Sequence, residues 1–140
     1  MTDPTATPTI LIQGTHGADD PEKATLPFIV GNVAATADQD TVVFLTSEAV
    51  RLATHGYADD ITFATHPPTG KILADFITNG GRVWACGACT GPRGITAEDL
   101  IDGATIVTAA NLVEALTDGA KTVGCQVCHP IRSRWSWRRR

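Results

Sequence analysis

No stretch of this 140-residue chain approaches the roughly 18 consecutive apolar residues of a membrane-spanning helix, so a bilayer-crossing role is not expected. The first residues, Met1-Thr2-Asp3-Pro4-Thr5-Ala6-Thr7-Pro8, lack both a basic segment and an apolar core. No secretory signal is therefore expected there, and residues 1–8 read as a short flexible lead-in. Cytoplasmic residence is the matching expectation, and in that compartment cysteines stay mostly reduced. No internal repeat is visible, and the length suits one domain with a core that needs no cross-links. Basic charge is scarce outside the C-terminus. Five of the eleven basic residues, Arg132, Arg134, Arg138, Arg139 and Arg140, fall in the last nine positions, and without them the net charge passes from −4 to −9. An acidic body argues against a nucleic-acid footprint on it.

Short apolar runs alternate with helical patterns along the chain. Strands are expected at residues 9–13, 41–46, 82–85, 104–108 and 121–125. A helix is expected to open at Pro21 with Asp20 as its cap, and Pro27 should kink it or delay its regular part. Ser47 is expected to cap a short helix carrying Ala49, Val50 and Ala53, while residues 57–68 read as loop. Further helical patterns cover residues 71–79 and 111–116, with a capping box at Thr96-Ala97-Glu98-Asp99. Strands that are apolar throughout and alternate with helices imply a parallel sheet covered on both faces. Functional groups in such sheets gather at the carboxyl ends of the strands. Three loops belong there: Thr15-His16-Gly17, Ser47-Glu48, and residues 86–94.

The last of these carries the strongest chemical signal. Cys86-Gly87-Ala88-Cys89-Thr90-Gly91-Pro92-Arg93-Gly94-Ile95 follows directly on a buried strand. A thiol acts as a nucleophile only as the thiolate, which a nearby guanidinium or helix N-terminus favours. The glycines let backbone amides approach an anion. The same C-x-x-C spacing also suits half a zinc site, a redox pair, or one functional thiol beside a bystander.

With these elements in place the sequence resembles the DsrE/DsrF-like family of small sulfur-relay proteins over most of residues 9–124. Three stretches carry the resemblance. They are Thr15-His16-Gly17 with residues 20–25, the cysteine closing the third strand with Arg93-Gly94-Ile95, and Gly103-Ala104-Thr105-Ile106-Val107 leading into residues 110–116. The resemblance implies a three-layer α/β/α sandwich with a parallel sheet of about five strands. It also implies a homo-oligomer, trimer or hexamer ahead of dimer, that works with sulfur donor and acceptor proteins. In relay members one cysteine carries sulfur as a persulfide, a role that falls on Cys86. Cys89 matches only the branch with C-x-x-C in this loop, as an accessory thiol.

The domain is thus expected to occupy residues 9–125, followed by a basic tail, 126–140. Arg93, Gly94 and His16 are the candidates for stabilising an anion on Cys86, and no cofactor or metal is expected. The alternatives are a thiol–disulfide protein cycling Cys86 and Cys89, and a non-catalytic oligomeric binding module. Against the first, the loop lacks the proline of C-G-P-C, and the helix is not expected to start immediately after the first thiol. Cys125-Gln126-Val127-Cys128-His129 has haem-attachment spacing, but that chemistry requires export. A four-thiolate zinc site joining both C-x-x-C pairs would need the third and fifth strands close together. The favoured reading is a buried Cys125 and a surface Cys128. His55 and His66 join no constellation, and Arg82 is expected to face solvent. The tail interleaves tryptophan with arginine, a mixture suited to nucleic acid, an anionic surface or a neighbouring subunit.

Overall fold

The computed structural model describes residues 3–124. Five short strands, β1 (Ile10–Gly14), β2 (Thr41–Leu45), β3 (Arg82–Cys86), β4 (Ala104–Val107) and β5 (Lys121–Gly124), form one sheet in the order β4-β3-β2-β1-β5. Every neighbouring pair is parallel. The helices are α1 (Pro21–Thr36), α2 (Thr69–Thr78), the short α3 (Gly87–Thr90) and α4 (Ala109–Thr117). Single 3-10 segments occupy Ser47–Ala53, Tyr57–Asp60, Gly91–Arg93 and Ala97–Asp99.

Strands β1, β2 and β3 bury side chains on both faces of the sheet, β5 is exposed along its length, and the connections decide what covers each face. From β1 to β4 the chain steps one way across the sheet, so its crossover helices share a face. There α1 and α2 enclose Ile12, Phe28, Val43, Leu45, Phe76 and Val83, all fully buried. The return from β4 to β5 crosses the whole sheet and places α4 on the opposite face. A smaller core of Leu11, Val42, Phe44, Trp84 and Val107 lies there beneath Ala115. The result is a three-layer α/β/α sandwich on a five-stranded parallel sheet, the fold class expected.

Particular residues behave differently from expectation. Helix α1 runs from Pro21 to Thr36 with Pro27 inside it. The proline ring is buried against the end of β1, where a Cβ on Gly14 would come within 3.3 Å of Pro27 Cγ. The missing side chain on Gly14 makes room for the ring, so packing holds the helix continuous across a residue that lacks an N–H. Arg82 does not face solvent. Its side chain is 16% exposed, pairs with Asp40 at 3.0 Å, and donates to the carbonyls of Pro4 (3.0 Å) and Ala6 (2.9 Å). The Trp84 indole N–H donates to the same Pro4 carbonyl at 2.9 Å, so the expected loose lead-in is tied down at residues 4–6. Between β3 and β5 lie β2 and β1, three strand spacings of about 4.8 Å each. The third and fifth strands are therefore not neighbours in the sheet. Cys125, Cys128 and the basic tail lie outside the described residues.

Asp20 caps α1 as expected, its carboxylate accepting from the Lys23 amide at 3.1 Å. That hydrogen bond, opposed by partial desolvation, holds the carboxyl below the usual Asp range. A carboxyl depressed in the folded state stabilises above its unfolded pKa and loses that contribution as pH falls through the folded one. Asp20→Ala should therefore cost about 1 kcal/mol near neutrality. In urea unfolding the gap to wild type should narrow in acid, below about pH 3.9.

Trp84 is fully buried and anchors both the second core and the N-terminal segment. Trp84→Ala should destabilise by about 3–5 kcal/mol in urea unfolding. Trp84→Phe should cost less yet make residues 3–8 newly sensitive to limited proteolysis.

Candidate functional site

The site is assembled by strand register. Leu45 of β2 stands opposite Ala85 of β3, so the two strands release their chains at the same level. One continues into Thr46-Ser47-Glu48 and the other into Cys86-Gly87. The Thr46 amide donates to the Gly14 carbonyl at 2.9 Å, tying the β2 exit to the end of β1. In the next loop a Cβ on Gly17 would stand 2.6 Å from Tyr57 Oη and 3.1 Å from the Glu48 carbonyl oxygen. A side chain there would displace the Tyr57 hydroxyl and press on the Glu48 carbonyl. The three loops expected at the carboxyl ends thus do lie together.

Cys86 is the last residue of β3 and the N-cap of α3, with φ −65° and ψ 121°. The helical turn therefore starts immediately after the first thiol, contrary to the sequence expectation. Gly87 permits this, since its Cα passes close to β4, where a Cβ would lie 3.3 Å from the Val107 carbonyl oxygen. Cys86 then occupies the N-cap position and Cys89 the third helical position. Both residues thus belong to one helical turn. Both thiols are free and half-buried.

The contacts of Cys89 are specific. Its Sγ accepts a hydrogen bond from the Ser47 amide at 3.1 Å. Its carbonyl accepts from Arg93 Nη1 at 3.1 Å. Ser47 does not cap the following 3-10 helix as expected. Thr46 holds that position without a side-chain bond, and Ser47 sits in the left-handed region with φ 53°. A non-glycine residue there costs on the order of 1 kcal/mol or more and persists only where its surroundings fix it.

Arg93 reaches the site through backbone and carboxylate groups. Its Nε donates to Glu48 Oε2 at 3.1 Å, and Glu48 Oε1 accepts from Arg51 Nε. One carboxylate thus braces two guanidiniums, one of which, Arg93, also holds the Cys89 carbonyl. Gly94 closes the helical stretch in a left-handed conformation (φ 67°), and its amide donates to the Gly91 carbonyl at 3.0 Å. His16 is half-buried in the β1–α1 loop, with Nδ1 2.8 Å from Thr15 Oγ1 and Nε2 4.0 Å from Asp19. The structure therefore brings Cys86, Cys89 and Arg93 together, and His16 makes its polar contacts within its own loop. Arg51 and Tyr57 are residues that sequence reasoning missed, and it named Glu48 only as part of a candidate loop, with no role. Only the position of Glu48 just after a strand could have flagged it.

No cluster of three or more metal-ligating side chains occurs among the described residues. A cavity of about 420 Å³ lies apart from the thiols, between α2 and the 3-10 segments, lined by residues such as Leu52, Leu73, Ile77 and Ile101.

The profile of the DsrE/DsrF-like family matches residues 9–124. The chain belongs to the DsrE/DsrF-like family. In the crystal structure of the ychN protein from E. coli the same fold recurs, with a TM-score of 0.70 and 22% identity. That match covers 83% of this chain and 97% of ychN. The protein of unknown function MTH1491 from Methanobacterium thermoautotrophicum superposes with a TM-score of 0.58 at 18% identity, over 82% and 96% of the two chains. The uncharacterized protein MJ0760 of Methanocaldococcus jannaschii is 26% identical over 108 residues, 77% of this chain. This chain spans 39% of the length of that relative. Membership places this DsrE-like chain in a family of sulfur-relay type, and no helix among its described residues is long and apolar enough to cross a membrane.

The Glu48 brace generates a test. Glu48→Gln removes the charge that neutralises Arg51 and Arg93, and uncompensated guanidiniums favour thiolate. Alkylation of the two thiols by iodoacetamide at neutral pH should accelerate. Because these ion pairs are partly solvated, the stability change should stay below about 1 kcal/mol.

Proposed function

We propose that this protein is a cytoplasmic sulfur carrier in which Cys86 accepts sulfane sulfur as a persulfide and hands it to an acceptor protein. The observation that carries the reading is the placement of Cys86. It is a free, half-exposed thiol at the carboxyl end of β3, the N-cap of a helical turn, in a chain of a sulfur-relay family. Arg93 would supply favourable electrostatics for the anion from the same loop, Gly94 would hold that loop's turn, and His16 would act from the neighbouring β1–α1 loop. The chemistry asks for no cofactor, because sulfur passes between thiols by attack of one sulfur on another. Homo-oligomerisation belongs to the same reading, a trimer or hexamer rather than a dimer. The apolar Val30 and Val33 on α1 and Val113 and Leu116 on α4, all exposed, offer surface for it.

A second reading gains support from one observation. Since α3 begins at Gly87, the two thiols share one helical turn, which suits a dithiol cycling to a disulfide.

Intact-mass analysis of the reduced protein immediately after exposure to inorganic polysulfide separates the readings. Wild type should gain the mass of one sulfur atom and Cys86→Ser should gain none, while Cys89→Ser should load like wild type. Loading of Cys86→Ser at the wild-type level would end the carrier reading. A wild type that only loses two hydrogens, with both cysteine variants inert, would favour the dithiol cycle.

A further inference from the structure

The carrier reading leaves Cys89 without a task, yet Cys89 is the thiol the structure holds most firmly. Its sulfur accepts from the Ser47 amide across 42 residues of sequence, and its carbonyl is held by Arg93, itself braced by Glu48. An amide N–H on a sulfur is strongest when that sulfur is anionic, as for other charge-assisted hydrogen bonds. The Ser47 backbone keeps a left-handed conformation while making this contact. Cys86 at the N-cap and Cys89 three positions on share the single turn of α3. From the same turn the Cys89 sulfur can address the inner sulfur of a persulfide on Cys86.

We propose that Cys89 discharges the sulfur carried by Cys86 as hydrosulfide. This inference rests on the carrier reading and adds a second activity to it, release of inorganic sulfide. The Cys89 thiolate attacks Cys86 Sγ and forms a Cys86–Cys89 disulfide. The bond from Cys86 Sγ to the carried sulfur breaks, and its electron pair leaves with that sulfur. The protonated persulfide terminus departs as HS⁻. The carried sulfur is reduced and the two cysteine sulfurs are oxidised, so the step balances without another reactant. Regeneration of the two thiols then requires an external dithiol reductant, which exchanges with the disulfide in the ordinary way. Transfer to an acceptor and discharge as sulfide become competing fates of one persulfide, with Cys89 setting the balance.

The test loads purified full-length protein with inorganic polysulfide and removes the excess. Sulfide is then trapped with monobromobimane, and intact mass is followed without added reductant. Wild type should release one sulfide for each persulfide lost and finish two hydrogens lighter than the reduced protein. Cys89→Ser and Cys89→Ala should load normally, which also shows that they are folded, and should keep the added sulfur. Their release rate should fall at least roughly tenfold, equivalent to about 1.4 kcal/mol on the barrier. Discharge at the wild-type rate from either Cys89 variant would overturn the proposal. So would a wild-type persulfide that persists with no disulfide formed. Failure of wild type to load at all is a different result, one that removes the carrier reading beneath it.

Discussion

The parallel pairing of β2 with β3 is the constraint on which the site depends. With Leu45 fixed opposite Ala85, both chains leave the sheet at one level, and the Ser47 amide reaches the sulfur of Cys89. A slip of one residue would turn every side chain of β2 to the opposite face. It would exchange Val43 and Leu45, which face the α1–α2 layer, for Val42 and Phe44, which face α4. Burial on both faces therefore fixes the register, and the register fixes the site. The thiol geometry is inherited from the core rather than built separately in the loops.

How the helical layers are shared between the faces follows the same logic. The side that bears α1 and α2 is thick, and buried hydroxyls join it. Thr25 Oγ1 donates to the Pro21 carbonyl at 2.7 Å and also lies 2.8 Å from Thr69 Oγ1. The opposite side has one nine-residue helix, α4, with the N-terminal segment held across Trp84 and Arg82. Arg82 adds to this anchor by lying 6.0 Å from the Trp84 ring centroid, within reach of a cation–π contact. A chain end that looked expendable in composition thereby becomes part of the second layer.

Much of this fold was legible in the sequence because its signals are local. The five apolar runs, the Asp20 cap and the Thr96–Asp99 capping box each depend on residues within a few positions of one another, and each is present. What escaped depends on distant partners. Pro27 looked like a break because its accommodation lies in Gly14, thirteen positions away in sequence. Arg82 looked solvent-facing because its partners, Asp40 and the carbonyls of Pro4 and Ala6, belong to other segments. Sheet order was equally hidden, and it alone separates β3 from β5. At the site, the cysteine loop was visible from spacing and glycine content, whereas the Glu48 brace was not. A glutamate after a strand reads as an ordinary solvated residue until two arginines from different turns converge on it.

The start of α3 at Gly87 has the widest chemical consequence. Had several residues of loop separated Cys86 from the helix, the two thiols would have been independent groups, and C-x-x-C a coincidence of spacing. Instead the N-cap and third positions put both on one turn, and the Ser47 contact restrains one of them further. A carrier thiol must remain available to partners, whereas a discharging thiol must be held. The structure distributes these demands unequally. Cys86 belongs to the end of a buried strand, whereas the hydrogen bonds from Ser47 and Arg93 fall on the sulfur and carbonyl of Cys89 in α3. That asymmetry is a property of the fold, since it follows from which of the two cysteines the β2 exit loop can touch.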